Sequence, residues 1–391
     1  MEIYILDQSL RRAAIVDQYV SFIWSERQTA FGDFELKMVN DRSMRDTFLA
    51  GTLLTIAASQ RVMRVETVET ETTTEGEQLM TVTGRELLVM LDDRPARPSL
   101  TPLATLEDWV LTGTPGAIMR QMFQTVCVTG GNNAGDIMGL YTAGQLNASG
   151  NIAEPEDSIT LSLPLDTLYN VMKEIGDQYH LGFRIVRKDN GIDPAQLYFE
   201  VYSGSNRTSS QSLLPAVIFS AELDNLTSVN SLTSVASYKN VAYVYGQNGT
   251  AVVYADNVDP SVSGFERRVL TVDAGDIDLP VGAPLTAALI QKGKEELGKN
   301  RAIIAFDGEI SEYTAYKYGV DYNLGDLVEK RDLDGKVNIM RVTEQIFVTD
   351  SEGTRTYPTL TYDLLITPGS WYAWAANQVW EDMGLEEWNS V

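Results

Sequence analysis

The chain contains one histidine and one cysteine, so it has one candidate imidazole base and one candidate thiol nucleophile for nucleophilic catalysis. A Ser-His-Asp or Cys-His arrangement would have to use His180 as its general base. His180 ends a segment with helical spacing, and no serine lies in a G-x-S-x-G pattern. The sequence therefore predicts a packing or capping role for His180.

Cys127 lies in the apolar run Thr125–Val128, which is typical of a buried thiol. A single cysteine cannot form an internal disulfide, and a structural zinc site needs about four Cys or His ligands. We therefore expect no disulfide framework, no metal site and no cofactor.

Acidic residues are abundant, so a carboxylate pair suited to glycoside hydrolysis remains an open alternative. We interpret Asp92–Asp93 and Glu386–Glu387 as solvated pairs. Asp332–Gly335 resembles the start of a calcium loop but lacks the loop's spacing and final Glu, so we interpret it as a hairpin turn. The Gly-rich segment 129–158 matches neither phosphate-binding glycine pattern. We expect no enzymatic activity.

The formal net charge is −24, from 30 Lys and Arg against 54 Asp and Glu. Because phosphates must be neutralised by cations, this charge argues against binding around the outside of nucleic acid. An acidic wall would instead repel phosphate and let DNA slide past without specific binding, although solubility alone also explains the charge. No apolar run reaches the roughly 18 residues of a membrane helix. The N-terminus lacks the pattern of a secretory signal.

One stretch of the chain occurs twice. Residues 62–76 and 339–353 are 277 positions apart and share six identities. The identical pairs are Met63/Met340, Arg64/Arg341, Val65/Val342, Thr72/Thr349, Glu75/Glu352 and Gly76/Gly353. Each copy has the pattern of a β-hairpin and follows a short strand that starts at a glycine, Gly51 or Gly325. Two unrelated hairpins, or two copies of one small β-barrel, would both give this pattern.

The elements that position these residues are predicted to be mainly strands. Closely spaced runs at 1–95 and 301–368 predict two tube-like antiparallel β-barrels, the first completed by strands from 217–256. The remaining segments are predicted to be a linker, helix and irregular loop at 96–160, an α+β insertion domain at 161–216, a β segment plus helix at 217–300 and a Trp-rich tail at 369–391. The predicted fold class is mainly β with α+β insertions, the α+β domain being peripheral.

The strongest helical pattern in the chain covers residues 166–180, where apolar residues line one face. Asp166 is predicted to cap the start of this helix. The apolar runs 181–187 and 196–202 follow it and are predicted to pair as strands.

Short motifs near both ends of the chain resemble those of known phage proteins. The motifs are Tyr4–Asp7, Trp24, Phe31–Leu36, Gly84–Leu88 and Tyr322–Val328. Together they resemble the minor tail proteins and tail-tip (baseplate) hub proteins of siphophages that infect Gram-positive, especially actinobacterial, hosts, and they are similar to the hub proteins of contractile-tailed phages. The structural motif residues are Trp24, Phe31, Gly32, Phe34, Arg64, Gly84, Arg85, Tyr322, Gly325, Asp326 and Arg341.

The resemblance implies a structural virion protein without an active site. Three copies, each with two barrels, would form a pseudo-sixfold ring that continues the tail tube and lets DNA pass. It implies a homotrimer whose other partners are the distal tail protein, the tape measure protein and the tip or fibre proteins. Such a protein is made in the host cytoplasm and resides in the phage tail tip.

Two alternatives belong to other functional classes. A receptor- or carbohydrate-binding tail protein would contact the host surface through the 129–158 loop or the aromatic tail. A tail-associated hydrolase would need a lytic domain, and the chain continues for only about 20 residues after its last predicted β segment.

Overall fold

The computed structural model describes residues 1–72, 74, 76–98, 109–129, 140–146, 148–163, 165–188, 195–223, 225, 228–255, 258–275, 285–301, 303–311, 316–331 and 337–362. Several predictions fall outside these residues. They concern the Trp-rich tail, Asp332–Gly335, Glu386–Glu387, and parts of the 96–160 segment that include 130–139.

The described elements are mainly strands, as predicted. In chain order they are β1 (Ile3–Leu6), β2 (Arg12–Val16), β3 (Ser21–Arg27), β4 (Asp33–Val39), β5 (Leu53–Ile56), β6 (Met63–Thr72), β7 (Gln78–Glu86), β8 (Trp109–Gly113), β9 (Leu140–Thr142), β10 (Ile159–Leu163), β11 (Gly182–Lys188), β12 (Gln196–Tyr202), β13 (Ile218–Phe219), β14 (Ser228–Ser234), β15 (Val241–Gly246), β16 (Gly249–Tyr254), β17 (Val269–Asp273), β18 (Ile303–Ser311), β19 (Leu327–Arg331), β20 (Val337–Asp350) and β21 (Gly353–Tyr362). The helices are α1 (Arg42–Thr47), α2 (Pro115–Phe123), α3 (Leu168–Tyr179) and α4 (Leu285–Lys299), and a π-helical turn at Gln124–Val128 follows α2.

The strands form a large sheet and three small ones. The large sheet has the order β14-β18-β21-β20-β3-β4-β7-β6-β5-β1-β2, with β19 also beside β20 and β13 beside β19. None of the sheets built from the described residues closes on itself. The prediction of two closed barrels is therefore not confirmed within a single chain.

The chain divides into two compact units, and the first contains Met1–Asn230, Phe306–Lys336 and Arg341–Leu360. Its β-rich part buries one face of β3 and β4, where apolar residues alternate with polar ones. Trp24 pairs with Phe34 across these antiparallel strands, and Phe22 pairs with Leu36. All four side chains lie in one hydrophobic core. Each large buried side chain contributes roughly 1.5–3 kcal/mol.

A second core in this unit surrounds α2 and α3. Thr167 caps α3 by accepting a hydrogen bond from the Asn170 amide at 3.2 Å, so the prediction of Asp166 as the cap is wrong by one residue. His180 ends the helix in the left-handed conformation, with φ of 55°, and its amide donates to the Gly176 carbonyl. Of the two roles predicted for His180, packing or capping, the structure shows the capping role.

The strands after α3 pair as predicted, with β11 antiparallel to β12 from Gly182 and Tyr202 onward. The sequence did not predict β9, which joins β12 in parallel. Cys127 is buried in the core around α2, and burial raises the pKa of its thiol to about 12. A thiol in this state is a poor nucleophile, which agrees with the predicted buried role.

The second compact unit is built around residues 231–305. Its sheet has the order β16-β15-β17, with β16 antiparallel and β17 parallel to β15. Leu289 and Leu297 of α4 share a core with Val244, Val253 and Val272 of the three strands. Across the part of the chain that the structure describes, no helix combines the length and apolar character needed to cross a membrane.

Candidate functional site

The repeated stretch forms two hairpins, β6–β7 and β20–β21. A glycine with positive φ lies at the turn of each hairpin, Gly76 at +86° and Gly353 at +114°. Such φ values favour glycine because it has no Cβ. The paired residues Met63 and Met340 are both buried, as are Val65 and Val342.

The turn before each hairpin is also repeated. Gly51 and Gly325 have φ of +92° and +88°. The amide of Gly51 donates to the Val65 carbonyl at 2.8 Å, and the amide of Gly325 donates to the Val342 carbonyl at 2.8 Å. In return Val65 donates to Thr52 at 2.8 Å, and Val342 donates to Asp326 at 3.0 Å. The two turns therefore dock on their hairpins through the same pair of bonds.

Side chains complete the same turn in both copies. The hydroxyl of Thr52 accepts from the Leu49 amide at 3.2 Å, and a carboxylate oxygen of Asp326 accepts from the Asn323 amide at 2.9 Å. Two unrelated hairpins would not require matching turns with matching side-chain acceptors. The geometry therefore favours two copies of one β unit over the alternative of unrelated hairpins.

The two copies differ at their shared arginine. Arg64 is half-exposed and pairs with Glu66 at 2.9 Å. Arg341 is buried and donates to the carbonyls of Ser203 at 3.0 Å and Gly325 at 2.7 Å. Arg341 thus ties the second copy to the chain that leaves β12.

Asp326 holds the same connection. One of its carboxylate oxygens accepts from the Ser205 amide at 2.7 Å, and Arg207 lies 3.7 Å from the other. Burial raises the pKa of Asp326, whereas the hydrogen bonds and the nearby arginine charges lower it. Burial has the larger effect, and the pKa is about 6. Gly325 and Asp326 therefore serve packing as well as turn formation.

A seam of antiparallel pairing joins the two copies within the chain. Strand β20 pairs with β3, from Glu344 opposite Arg27 to Thr349 opposite Phe22. Arg27 and Glu344 form an ion pair across the seam at 2.6 Å. Gln345 and Phe347 are buried along it. The seam places the two copies side by side in one sheet.

A buried cluster of charges lies beside this seam, and we call Arg61, Glu86, Glu26, Tyr202 and Tyr318 the Arg61 cluster. Arg61 lies 2.7 Å from Glu86 and 3.4 Å from Glu26, and all three side chains are at most 2% exposed. The hydroxyls of the two tyrosines approach Arg61 and Glu26 at 3.4 Å and 2.9 Å.

Further hydrogen bonds fix the two carboxylates of the cluster. The indole of Trp24 donates to Glu26 at 2.9 Å, and the Gly32 amide donates to Glu86 at 3.1 Å. Burial raises the pKa of Glu86, although Arg61 lowers it. The cluster connects β3, β7, β12 and Tyr318, so it fastens the first copy to two distant parts of its compact unit.

Sequence reasoning missed the Arg61 cluster, although one signal was present. Glu26 follows Phe22 and Trp24 at every second position of β3, so it must point to the same buried face. A carboxylate on a buried strand face needs a cationic partner. The sequence does not identify that partner, because Arg61 is brought to Glu26 only by tertiary folding.

The predicted motif residues near the N-terminus lie together. Phe34 lies opposite both Trp24 and Gly84 in the sheet. Arg85 stacks over the Phe31 ring at 5.2 Å and pairs with Glu66 at 2.6 Å. These contacts are packing and surface ion pairs.

Gly32 and Gly84 allow close approach of the backbone. A Cβ on Gly32 would lie 2.1 Å from the Ser25 carbonyl oxygen, and one on Gly84 would lie 1.9 Å from the Arg64 carbonyl oxygen. Any larger residue would push neighbouring strands apart.

Gly84→Ala is therefore expected to lower the free energy of unfolding by about 2 kcal/mol, because a buried strand must shift. Chemical denaturation followed by tryptophan fluorescence measures this change. Gly113→Ala is the matched control in strand β8, where the nearest atom to the new Cβ would be 3.7 Å away. Equal stability of the two variants would contradict the prediction.

Tyr322 is the remaining predicted motif residue, and it lies in the second copy. It is buried, and its hydroxyl donates to the Gln345 side chain at 2.8 Å. Its ring meets Phe219 edge-on at 5.5 Å. The predicted residues thus form two separate groups, one in each copy of the β unit.

Among the described residues, no group of three His, Cys, Asp or Glu side chains is placed to hold a metal ion. His180 and Cys127 lie on different elements, at the end of α3 and in the turn after α2. The described residues instead form a duplicated β unit, a seam between its copies and a buried charge cluster beside the seam.

Two solved structures match almost the whole chain. The tail protein from Neisseria meningitidis MC58 is 14% identical with a TM-score of 0.57, covering 93% of this chain and 96% of that one. The 43 kDa tail protein of prophage MuSo2 from Shewanella oneidensis is 14% identical with a TM-score of 0.55, covering 92% and 98%. At this identity the likeness concerns the fold alone, which is that of phage tail proteins.

The family model of Siphovirus ReqiPepy6 Gp37-like proteins matches residues 2–360. The chain belongs to this family of siphovirus tail proteins, and the family assignment makes it a component of the virion. The resemblance seen in the sequence is thereby confirmed. A search of curated proteins finds no match.

Proposed function

We propose that this protein is a non-enzymatic tail-tip or baseplate hub, in which three copies form a pseudo-sixfold ring that continues the tail tube and lets DNA pass. The observation that carries the proposal is the seam between β3 and β20, which sets two copies of one β unit side by side. Membership of a phage tail family supports a structural role in the tail.

The open sheet of each chain is consistent with a barrel that closes only between chains. A chain that carries two side-by-side copies contributes two of six similar positions in a threefold ring. Contacts in such a ring are heterologous, so each subunit must present two different surfaces. The net charge of −24 suits a lumen that repels DNA phosphates.

The partners proposed for such a ring are its own copies, the distal tail protein, the tape measure protein and the tip or fibre proteins. DNA would pass without specific binding. The protein would be made in the host cytoplasm and would function in the virion without a cofactor. The division of the chain into six predicted segments, from 1–95 to 369–391, belongs to this proposal.

One observation favours a second candidate function, binding of a host-surface carbohydrate. Tyr141, in the 129–158 segment, is 44% exposed and stacks on Tyr198 at 5.5 Å between ring centroids. An exposed tyrosine held by stacking on a half-buried one is a suitable platform for a sugar ring. Loss of binding to host cell walls in Tyr141→Ala, with an unchanged oligomeric state, would support this function.

The solution mass of the purified chain tests the hub proposal directly. Light scattering across a range of concentrations should give three times the chain mass of 43.2 kDa, about 130 kDa. Imaging of the particles along the threefold axis should then show a central opening. A stable dimer at all concentrations would contradict the ring, because twofold contacts do not build it.

A further inference from the structure

We infer that the outer edge of β6 at Thr67–Thr72 closes the ring by pairing antiparallel with β14 of a second copy of this chain. This inference rests on the proposed ring and identifies the strand edges through which its subunits meet. It follows from a comparison of the two copies of the β unit.

The two copies use their long hairpin strand differently. In the second copy, residues 344–349 of β20 are covered by β3 on the side away from the hairpin. The equivalent residues in the first copy, at the offset of the repeat, are 67–72 of β6. Among the described residues, β6 pairs with β7 on one side and, on the other, only with β5 at Met63 and Arg64.

Exposure follows this difference in pairing. All residues from Thr67 to Thr72 are exposed. Val68 is 36% exposed, whereas its counterpart Gln345 is 0% exposed. Thr70 corresponds in the same way to Phe347, which is 3% exposed. The first copy therefore presents an unused strand edge where the second copy has a covered one.

The backbone groups of this edge are oriented for pairing. In the seam, the Gln28 amide donates to the Thr343 carbonyl at 2.9 Å. Because alternate residues of a strand direct their N–H and C=O groups to the same edge, Gln345 and Phe347 also present theirs to β3. By the repeat, Val68, Thr70 and Thr72 present theirs to the open edge.

Sheet order identifies the strand that fits this edge. The order β14-β18-β21-β20 in the second copy repeats the order β3-β4-β7-β6 in the first. Strand β14 is therefore the counterpart of β3, the strand that covers β20. Because β14 ends the sheet among the described residues, its outer side has no strand beside it.

Charge distinguishes this pairing from the pairing of two β6 edges. The open edge carries Glu69 and Glu71, and only Glu71 has an ion pair among those described, with Lys37 at 3.1 Å. Two such edges placed together would therefore still oppose like charges. The sequence of β14, SVNSLTS, contains no charged residue. Pairing of a β6 edge with β14 is therefore favoured over pairing with another β6 edge. Because the two paired edges differ, the contact is head-to-tail, as a closed ring requires.

The test compares Thr70→Pro with Thr70→Ala by light scattering of the full-length chain. Both variants lose the threonine side chain, but only proline removes the N–H of the open edge. Thr70→Pro is expected to raise the dissociation constant of each contact about tenfold or more, which shifts the trimer toward monomer. Thr70→Ala is expected to remain trimeric with a dissociation constant within about twofold of the parent chain.

Hydrogen exchange of the unaltered chain gives a second readout that does not depend on the proline variant folding. Protection of the Val68, Thr70 and Thr72 amides, which face the open edge, should rise with concentration as trimer forms. A trimer in which these amides stay unprotected and Thr70→Pro assembles normally would overturn this inference and leave the ring intact. An unaltered chain that never reaches the trimer mass would overturn the ring as well, so the two failures are distinguishable.

Discussion

Arg61→Leu is expected to lower the free energy of unfolding by about 3–5 kcal/mol, because it removes the only cation within 4 Å of two buried carboxylates among the described ion pairs. Glu86 and Glu26 would then remain buried with hydrogen-bond donors but without a neutralising charge. Chemical denaturation at neutral pH measures the loss.

The loss is expected to depend on pH in a defined direction. Burial already raises the pKa of Glu86, so removal of Arg61 raises it further. A group whose pKa is higher in the folded state stabilises the fold when protonated, and this contribution disappears as the pH rises through its folded pKa. The deficit of Arg61→Leu should therefore be smaller at pH 5 than at pH 7.

A double variant provides the control for this prediction. Arg61→Met with Glu86→Leu replaces the closest ion pair by apolar side chains, which often restores much of the stability lost when one partner is removed. The single variant should be less stable than the double variant. A single variant that loses less than about 1 kcal/mol would show that the cluster contributes little to stability.

Arg341→Leu is expected to lower the free energy of unfolding by about 3 kcal/mol, whereas Arg64→Leu is expected to lower it by less than about 1 kcal/mol. The change at position 341 leaves the carbonyls of Ser203 and Gly325 without their arginine donor in a buried site. At position 64 it removes one half-exposed ion pair with Glu66, which keeps its bond to Arg85.

The internal repeat makes this comparison a matched one, since both arginines occupy the same place in their hairpins. Equilibrium denaturation of the two variants under the same conditions gives the difference. If the two variants lost equal stability, the prediction would be contradicted. The chain that leaves β12 would then have rearranged so that the carbonyls freed by the loss of Arg341 find other donors.

The sequence predicted the hairpins because their signals are local. Alternating apolar residues indicate strands such as β4, and the helical spacing before His180 indicates α3. The repeat was visible through identities such as Met63/Met340. The strand and helix patterns depend on residues close together in the chain, and the repeat depends only on comparing two stretches of sequence, so all of them can be recognised without the fold.

Other features depend on contacts that the sequence does not reveal. The repeated turns share a glycine but use different side-chain acceptors, Thr52 in one copy and Asp326 in the other, so sequence identity could not reveal that these acceptors are equivalent. The identical residues Arg64 and Arg341 lie in different surroundings because only one is covered by the chain after β12. The parallel pairing of β9 with β12 joins residues far apart in sequence.

The seam between β3 and β20 has a consequence for synthesis of the chain. Its ion pair joins residues separated by 317 positions. At translation rates of about 5–20 residues per second, β3 leaves the ribosome tens of seconds before its partner strand exists. During that interval its N–H and C=O groups form an unpaired edge that can capture other nascent chains. Formation of the seam is therefore a late step in folding of the chain, and low expression temperature or chaperones should raise the yield of correctly paired protein.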